Sequence, residues 1–303
     1  MDTSVLEFLA APFVASLILT GIHAYLGVHV VERGVIFVDL SLAQIAALGA
    51  TIAILLPVSG GDPHAGIVYW ISLAFTFIGA FVFSTFRSRN ARIPQEAIIG
   101  ICYAVASAAA ILAMSKATSE SEHLKDMLVG NILAVSWYDV GKTAALYSAV
   151  GLFHYIFRDK FLAISMDHSG AEARGISVGW WDFLFYASFG FVVTSSVAIA
   201  GVLLVFCYLI VPSVAAMLYA DSIGKRLAIG WSMGTIVSAV GVYMSLVLDL
   251  PTGATIVCTF GIALAVMAAV KPLIIMAAVR PLLQRHTPRD VHHVNYADRA
   301  HGH

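Results

Sequence analysis

Charge is what this sequence has least of. Only 12% of its 303 residues are Asp, Glu, Lys or Arg, about half the share of an ordinary soluble domain, while 60% are hydrophobic. Acids and bases nearly cancel, 18 against 17, giving a formal net charge of −1. No block of Lys or Arg is long enough for a nucleic-acid surface, which excludes that class. Cysteine is scarce too: Cys102, Cys207 and Cys258 each lie inside an apolar run with no CxxC spacing, as packing residues do, so neither a disulfide framework nor a zinc cluster is expected. The sequence has no HExxH, no GxSxG and no glycine-rich nucleotide fingerprint, which argues against an intramembrane protease or a self-contained ATPase. The string from Ser136 to Thr143 ends in Gly-Lys-Thr but has Ser136 where a phosphate-binding loop needs its first glycine. No enzyme activity is expected of this chain. Finally, residues 1–10 contain Asp2 and Glu7 and no basic residue, so they lack the positive start of a cleavable signal, and the first apolar run is read as a retained helix.

What is present is long apolar text. A helix needs about 20 apolar residues to cross the hydrocarbon layer. Breaks at charged or Gly/Pro clusters divide the chain into nine spans, at 8–31, 35–56, 66–86, 94–115, 136–157, 181–196, 200–220, 227–248 and 253–270. The region 183–220 holds no charge and reads either as two short spans or as one span with a re-entrant piece, so eight is the alternative count. With the amino terminus outside, fourteen Lys and Arg fall on inner segments and only Lys116, Lys125 and Lys142 outside, the asymmetry that positive residues show in membranes. Eight spans would put a basic cluster on the wrong face. The expected fold class is therefore an all-α polytopic membrane protein, with residues 1–285 as the transmembrane unit and 286–303 as a cytoplasmic tail. That tail holds five of the eleven histidines, His286, His292, His293, His301 and His303, in a spacing too loose to define a metal site.

One polar segment stands out between the apolar runs. Residues 165–179 read Ser-Met-Asp-His-Ser-Gly-Ala-Glu-Ala-Arg-Gly-Ile-Ser-Val-Gly, a small-residue, mixed-charge helix closed by Gly175 and followed at once by membrane. A short helix of this kind on the inner face suits docking to a cytoplasmic motor.

Several ordered segments together carry a family resemblance. They are residues 27–49, with an Glu-Arg-Gly turn and Phe-x-Asp-Leu-Ser-Leu-Ala-Gln, then 100–107, 127–136, 171–176, 201–212 and 249–254. In order and spacing the chain resembles, from about residue 15 to 270, the permease subunit of bacterial ABC importers for zinc, manganese or ferrous iron. The resemblance implies a multi-pass protein of the bacterial inner membrane. Its implied partners are a second copy of the chain, a cytoplasmic ATPase that holds the ATP, and an external solute-binding protein; the cargo is a divalent metal ion, and the chain itself holds no cofactor. It also implies that Gly170, Ala171, Glu172, Ala173, Arg174 and Gly175, within the loop 158–180, form the coupling helix that sits in a groove of the ATPase.

The resemblance fails at one place. The family's second span usually carries Gly-Asp-Ala-x-Ser-His, whose Asp and His share a helical face, but here Leu40 stands at the aspartate and Gln44 at the histidine. The acid is shifted to Asp39, five residues from Gln44 and about 140° around a helix from it. Asp39 and Gln44 are the candidate metal-path residues, with a helix cap or an ion pair to Arg33 as other readings of Asp39. His23, His29 and His154 read as buried, hydrogen-bonded histidines, Glu96 as a first-turn acid of its own helix, and Asp62 and His64 as a solvated outer turn or a metal-receiving point. The function expected is ATP-driven import of zinc or manganese, with iron after them. The alternative is an ATP-independent cation carrier or channel, for which the glycine-interrupted stretch 189–201 speaks.

Overall fold

The computed structural model describes residues 3–59, 66–89, 93–115 and 132–284. Lipid offers no hydrogen bonds, so a chain this apolar must satisfy its backbone from within. Every regular element among the described residues is accordingly helical. The α-helices are α1 (Thr3–Glu32), α2 (Val38–Leu55), α3 (Gly66–Arg89), α4 (Gln95–Met114), α5 (Trp137–Ile156), α6 (Arg158–Met166), α7 (His168–Ala173), α8 (Val178–Ala200), α9 (Val202–Tyr219), α10 (Ile223–Leu248) and α11 (Thr252–Gln284). The expectations at Asp62, His64, residues 116–131 and the histidine tail concern positions outside the described residues.

Eight of these helices, α1 to α4 and α8 to α11, are long and apolar enough to cross a membrane. That is one fewer than the nine expected, and not because the charge-free region merges into one span. Gly201 has φ 75° and ψ 161°, a conformation nearly restricted to glycine. Its N–H closes α8 on Val197 O while its carbonyl accepts the Val205 N–H of α9, so two helices meet at one residue. The element that falls out of the count is α5, which is 20 residues long, as α4 is, but carries Asp139, Lys142 and His154. Its start is a capping box: the Ser136 hydroxyl accepts the Asp139 N–H, and the Asp139 carboxylate accepts the Ser136 N–H. The pseudo-phosphate loop is thereby used up as a helix start.

Packing places α1 at the centre. It lies against α9 and α10 on one side and against α5 and α6 on the other, while α2 rests on α3 and α4, and α3 on α8. Membrane helices approach closely where side chains are small, and a Cβ at Gly27 of α1 would overlap the Leu209 carbonyl of α9. Ser213 donates to that same carbonyl at 2.9 Å and Pro212 is buried without ending α9. The main apolar core runs through α1, α2, α8 and α9, among others, with Leu26, Leu42, Phe189 and Leu209 fully buried in it.

Candidate functional site

Asp39 stands in the first turn of α2 and is 1% exposed, with neither carboxylate oxygen hydrogen-bonded. The two structural readings open to it are both taken by other groups. Arg33 pairs with Asp182 of α8, Nη1 to Oδ1 at 2.6 Å, both side chains being buried. The start of α2 has Phe37 as its N-cap residue with no side-chain cap, and the Phe37 N–H is bound instead by Glu96 Oε1 at 3.0 Å. Glu96 does lie in the first turn of α4, as read from the sequence, but it also serves the orphan donor at the head of α2. Gln44, 9% exposed, follows a turn and a half further along α2. Among the described residues no three His, Cys, Asp or Glu side chains converge on a point where a metal ion would sit.

A second polar feature lies along α1. Tyr25, His29 and Arg33, four residues apart, share one face of the helix and meet α5, α6 and α8. The Tyr25 hydroxyl is 3.4 Å from His154 Nδ1, and His154 Nε2 is 2.8 Å from Ser188 Oγ. His29 Nδ1 is 2.8 Å from Ser165 Oγ, which also accepts the Arg33 Nε–H at 2.8 Å. The Arg33 guanidinium lies 3.9 Å from the centre of the Phe185 ring. His23 is bonded on both nitrogens, to Leu19 O at 2.8 Å and Ser196 Oγ at 3.2 Å, and Ser196 meets the Tyr147 hydroxyl. All three histidines are therefore buried and hydrogen-bonded, the structural reading of them, although His29 Nε2 has no partner. The Ser165, Asp182 and Ser188 partners were not singled out from the sequence. The signal that was legible is the spacing of Tyr25, His29 and Arg33.

The polar segment between α5 and α8 folds as two short helices. Asp167 separates α6 from α7 and caps the latter, its carboxylate accepting the Gly170 N–H at 2.9 Å. Ala171 is buried against Ile164 and Val178, while Glu172, Ala173 and Arg174 are exposed. Gly175 has φ 76°. Its N–H bonds Glu172 O at 2.9 Å and the Ile176 N–H bonds Ala171 O at 3.1 Å, a pair that closes the helix in a left-handed turn. Of the six residues singled out, Gly170, Glu172, Ala173, Arg174 and Gly175 thus form one compact surface, held from beneath by the buried Ala171.

Long apolar helices around a buried polar seam, with one compact polar hairpin between them, are the features of a multi-pass membrane protein. The chain belongs to the ABC 3 transport family, whose model matches residues 5–271. It is 30% identical over 202 residues, 64% of this chain and 71% of the relative, to the manganese transport system membrane protein MntC of Listeria innocua. It is 25% identical over 267 residues, 88% of this chain and 92% of the relative, to the manganese import system permease protein ScaB of Streptococcus gordonii. Its fold is similar to a chain in the solved structure of PsaBC from Streptococcus pneumoniae in complex with Fab, with a TM-score of 0.71 and 23% identity over 86% of this chain and 90% of that one.

Proposed function

We propose that this chain is the membrane-spanning subunit of an importer of divalent transition metal ions, zinc or manganese before iron, driven by a separate ATPase subunit. The observation that carries the reading is Asp39, a buried carboxylate with two unsatisfied oxygens in a chain two of whose relatives are named for manganese transport and manganese import. An acid inside a membrane costs about 2.5–3.5 kcal/mol on insertion scales and usually faces a path or a partner. Here a passing cation is the partner, and Gln44 offers a neutral oxygen further along α2. With Leu40 in place of the family's acid, the ion is held by fewer protein ligands and keeps more of its water.

The hairpin residues Gly170, Glu172, Ala173, Arg174 and Gly175, seated on the buried Ala171, are the docking surface for the ATPase, which holds the ATP. The chain works as a dimer with its own copy, receives cargo from an external binding protein, and has its amino-terminal side outside and its tail in the cytoplasm of a bacterial cell. The tail from residue 286 is a separate cytoplasmic extension. Reconstitution of this chain with its ATPase in liposomes, assayed with zinc, manganese and ferrous iron, tests the whole reading. ATP-dependent uptake of one or more of these ions is expected. Uptake that proceeds without ATP would replace the reading by a carrier or channel, and no uptake of any of the three would move the cargo outside divalent transition metals.

A further inference from the structure

Among the described residues, one hydroxyl of the hairpin bonds two side chains of α1. Ser165, in the last turn of α6, is buried, and its Oγ is met from α1 by His29 Nδ1 and by Arg33 Nε, each at 2.8 Å. His29 and Arg33 stand one turn apart on the same face of α1. The same guanidinium reaches Asp182 of α8, so three helices converge on this node. Elsewhere α6 is held by ring packing: Phe161 stacks on His154 with centroids 4.3 Å apart and lies 5.6 Å from Trp181. Stacked rings and aliphatic surfaces tolerate sliding, because neighbouring registers bury similar area. Two directional bonds from fixed points on one helix do not, and inside a membrane such polar contacts are what set helix register.

The path onward from α6 to the hairpin surface is stiff. Only Asp167 lies between α6 and α7, and its carboxylate caps α7. Ala171 of α7 packs on Ile164, one residue before Ser165, and on Val178 at the head of α8. A displacement of α7 is therefore carried by α6 and delivered to α1 at residues 29 and 33 and to α8 at residue 182.

We infer that Ser165 is a positioning residue that ties movement of the α6–α7 hairpin to movement of α1 and α8, and thereby ties a partner's ATP hydrolysis to transport. This rests on the docking role proposed for the hairpin. The node is not a second metal site: a guanidinium occupies it, and no three ligating side chains converge there among the described residues. It is a mechanical linkage made of hydrogen bonds.

The test uses the reconstituted complex with its ATPase and binding protein, and measures hydrolysis and metal uptake side by side. The variants are Ser165→Ala, Arg33→Lys and the double variant; Arg33→Lys keeps a cation opposite Asp182 but removes the Nε donor to Ser165. Stimulated hydrolysis is expected to stay within about twofold while uptake per ATP falls roughly tenfold in each single variant, the size of a typical coupling between sites. The double variant is expected to be no worse than the poorer single one, because both remove the same linkage. An unchanged ratio of uptake to hydrolysis overturns the inference, whether both activities persist or both are lost together. Uptake by the unmodified complex that does not depend on ATP overturns the underlying functional reading, and the linkage falls with it.

Discussion

Asp39 is the residue at which stability and function pull in opposite directions. A buried carboxylate with no partner destabilises the fold, since burial of an unpaired polar group costs about 1–3 kcal/mol and more when it is charged, and among the described residues no hydrogen-bond donor offsets that cost. Asp39→Leu is therefore expected to leave thermal stability equal or higher while lowering metal uptake, roughly tenfold or more, at equal membrane levels. Gln44→Ala is expected to have a smaller effect in the same direction, because it removes a neutral ligand. Uptake and melting temperature of purified protein decide it. Undiminished uptake in the Asp39→Leu, Gln44→Ala double variant would take both residues out of the path, and a fall in stability would mean that Asp39 is held by structure instead.

At the scale of the element, the hairpin separates inside from outside contacts residue by residue. Ala171 is buried on Ile164 and Val178, whereas Ala173 is exposed. Ala173→Trp is thus expected to abolish permease-stimulated ATP hydrolysis with the isolated permease unaltered in stability, and Ala171→Trp to destabilise the permease itself. Gly175→Val forces a branched residue into φ 76°, at about 1–2 kcal/mol for a left-handed backbone, and should loosen the turn and lower stimulated hydrolysis as well. Normal stimulation in both Ala173→Trp and Gly175→Val would remove the hairpin from the docking surface.

For the whole molecule the expectation of nine spans rests on α5 crossing the membrane. It is 20 residues long, about 30 Å at 1.5 Å per residue, which matches the hydrocarbon thickness. Its polar residues sit where a crossing helix can hold them: Trp137, Tyr138, Asp139 and Lys142 are in the first two turns, as at an interfacial belt, and His154 is buried in protein near the far end. A crossing α5 puts Tyr138 and the hairpin on opposite faces, as the basic-residue asymmetry requires. Single cysteines at Tyr138 and Glu172, in a background without the three native cysteines, check this. In intact cells an impermeant reagent is expected to label the Tyr138→Cys variant and to reach the Glu172→Cys variant only after permeabilisation. Labelling of both from one side would remove α5 as a crossing, and the reversed pattern would invert the orientation.

Span positions and the all-helical class were legible because the requirement behind them is one-dimensional: lipid demands about 20 apolar residues and internal backbone hydrogen bonds, and both can be counted along the chain. Gly175 as a helix stop was legible for the same local reason. The division of the charge-free run was legible as a break between residues 196 and 200, but not the residue that makes it, because such a run carries no mark at one position and only the backbone angles place the break at Gly201. The partner of Arg33 was likewise beyond reach: Asp39 and Asp182 are both acids near a helix start, and which of them meets the guanidinium depends on α8 lying within reach of the Arg33 side chain in space. That choice is what leaves Asp39 buried and unpaired. The sequence by itself determined that this chain lives in a membrane as a bundle of helices, since composition and period set that. Only the tertiary structure decided which of its few charges neutralise one another and which one is left facing the interior, because pairing between distant helices is a matter of contact in space.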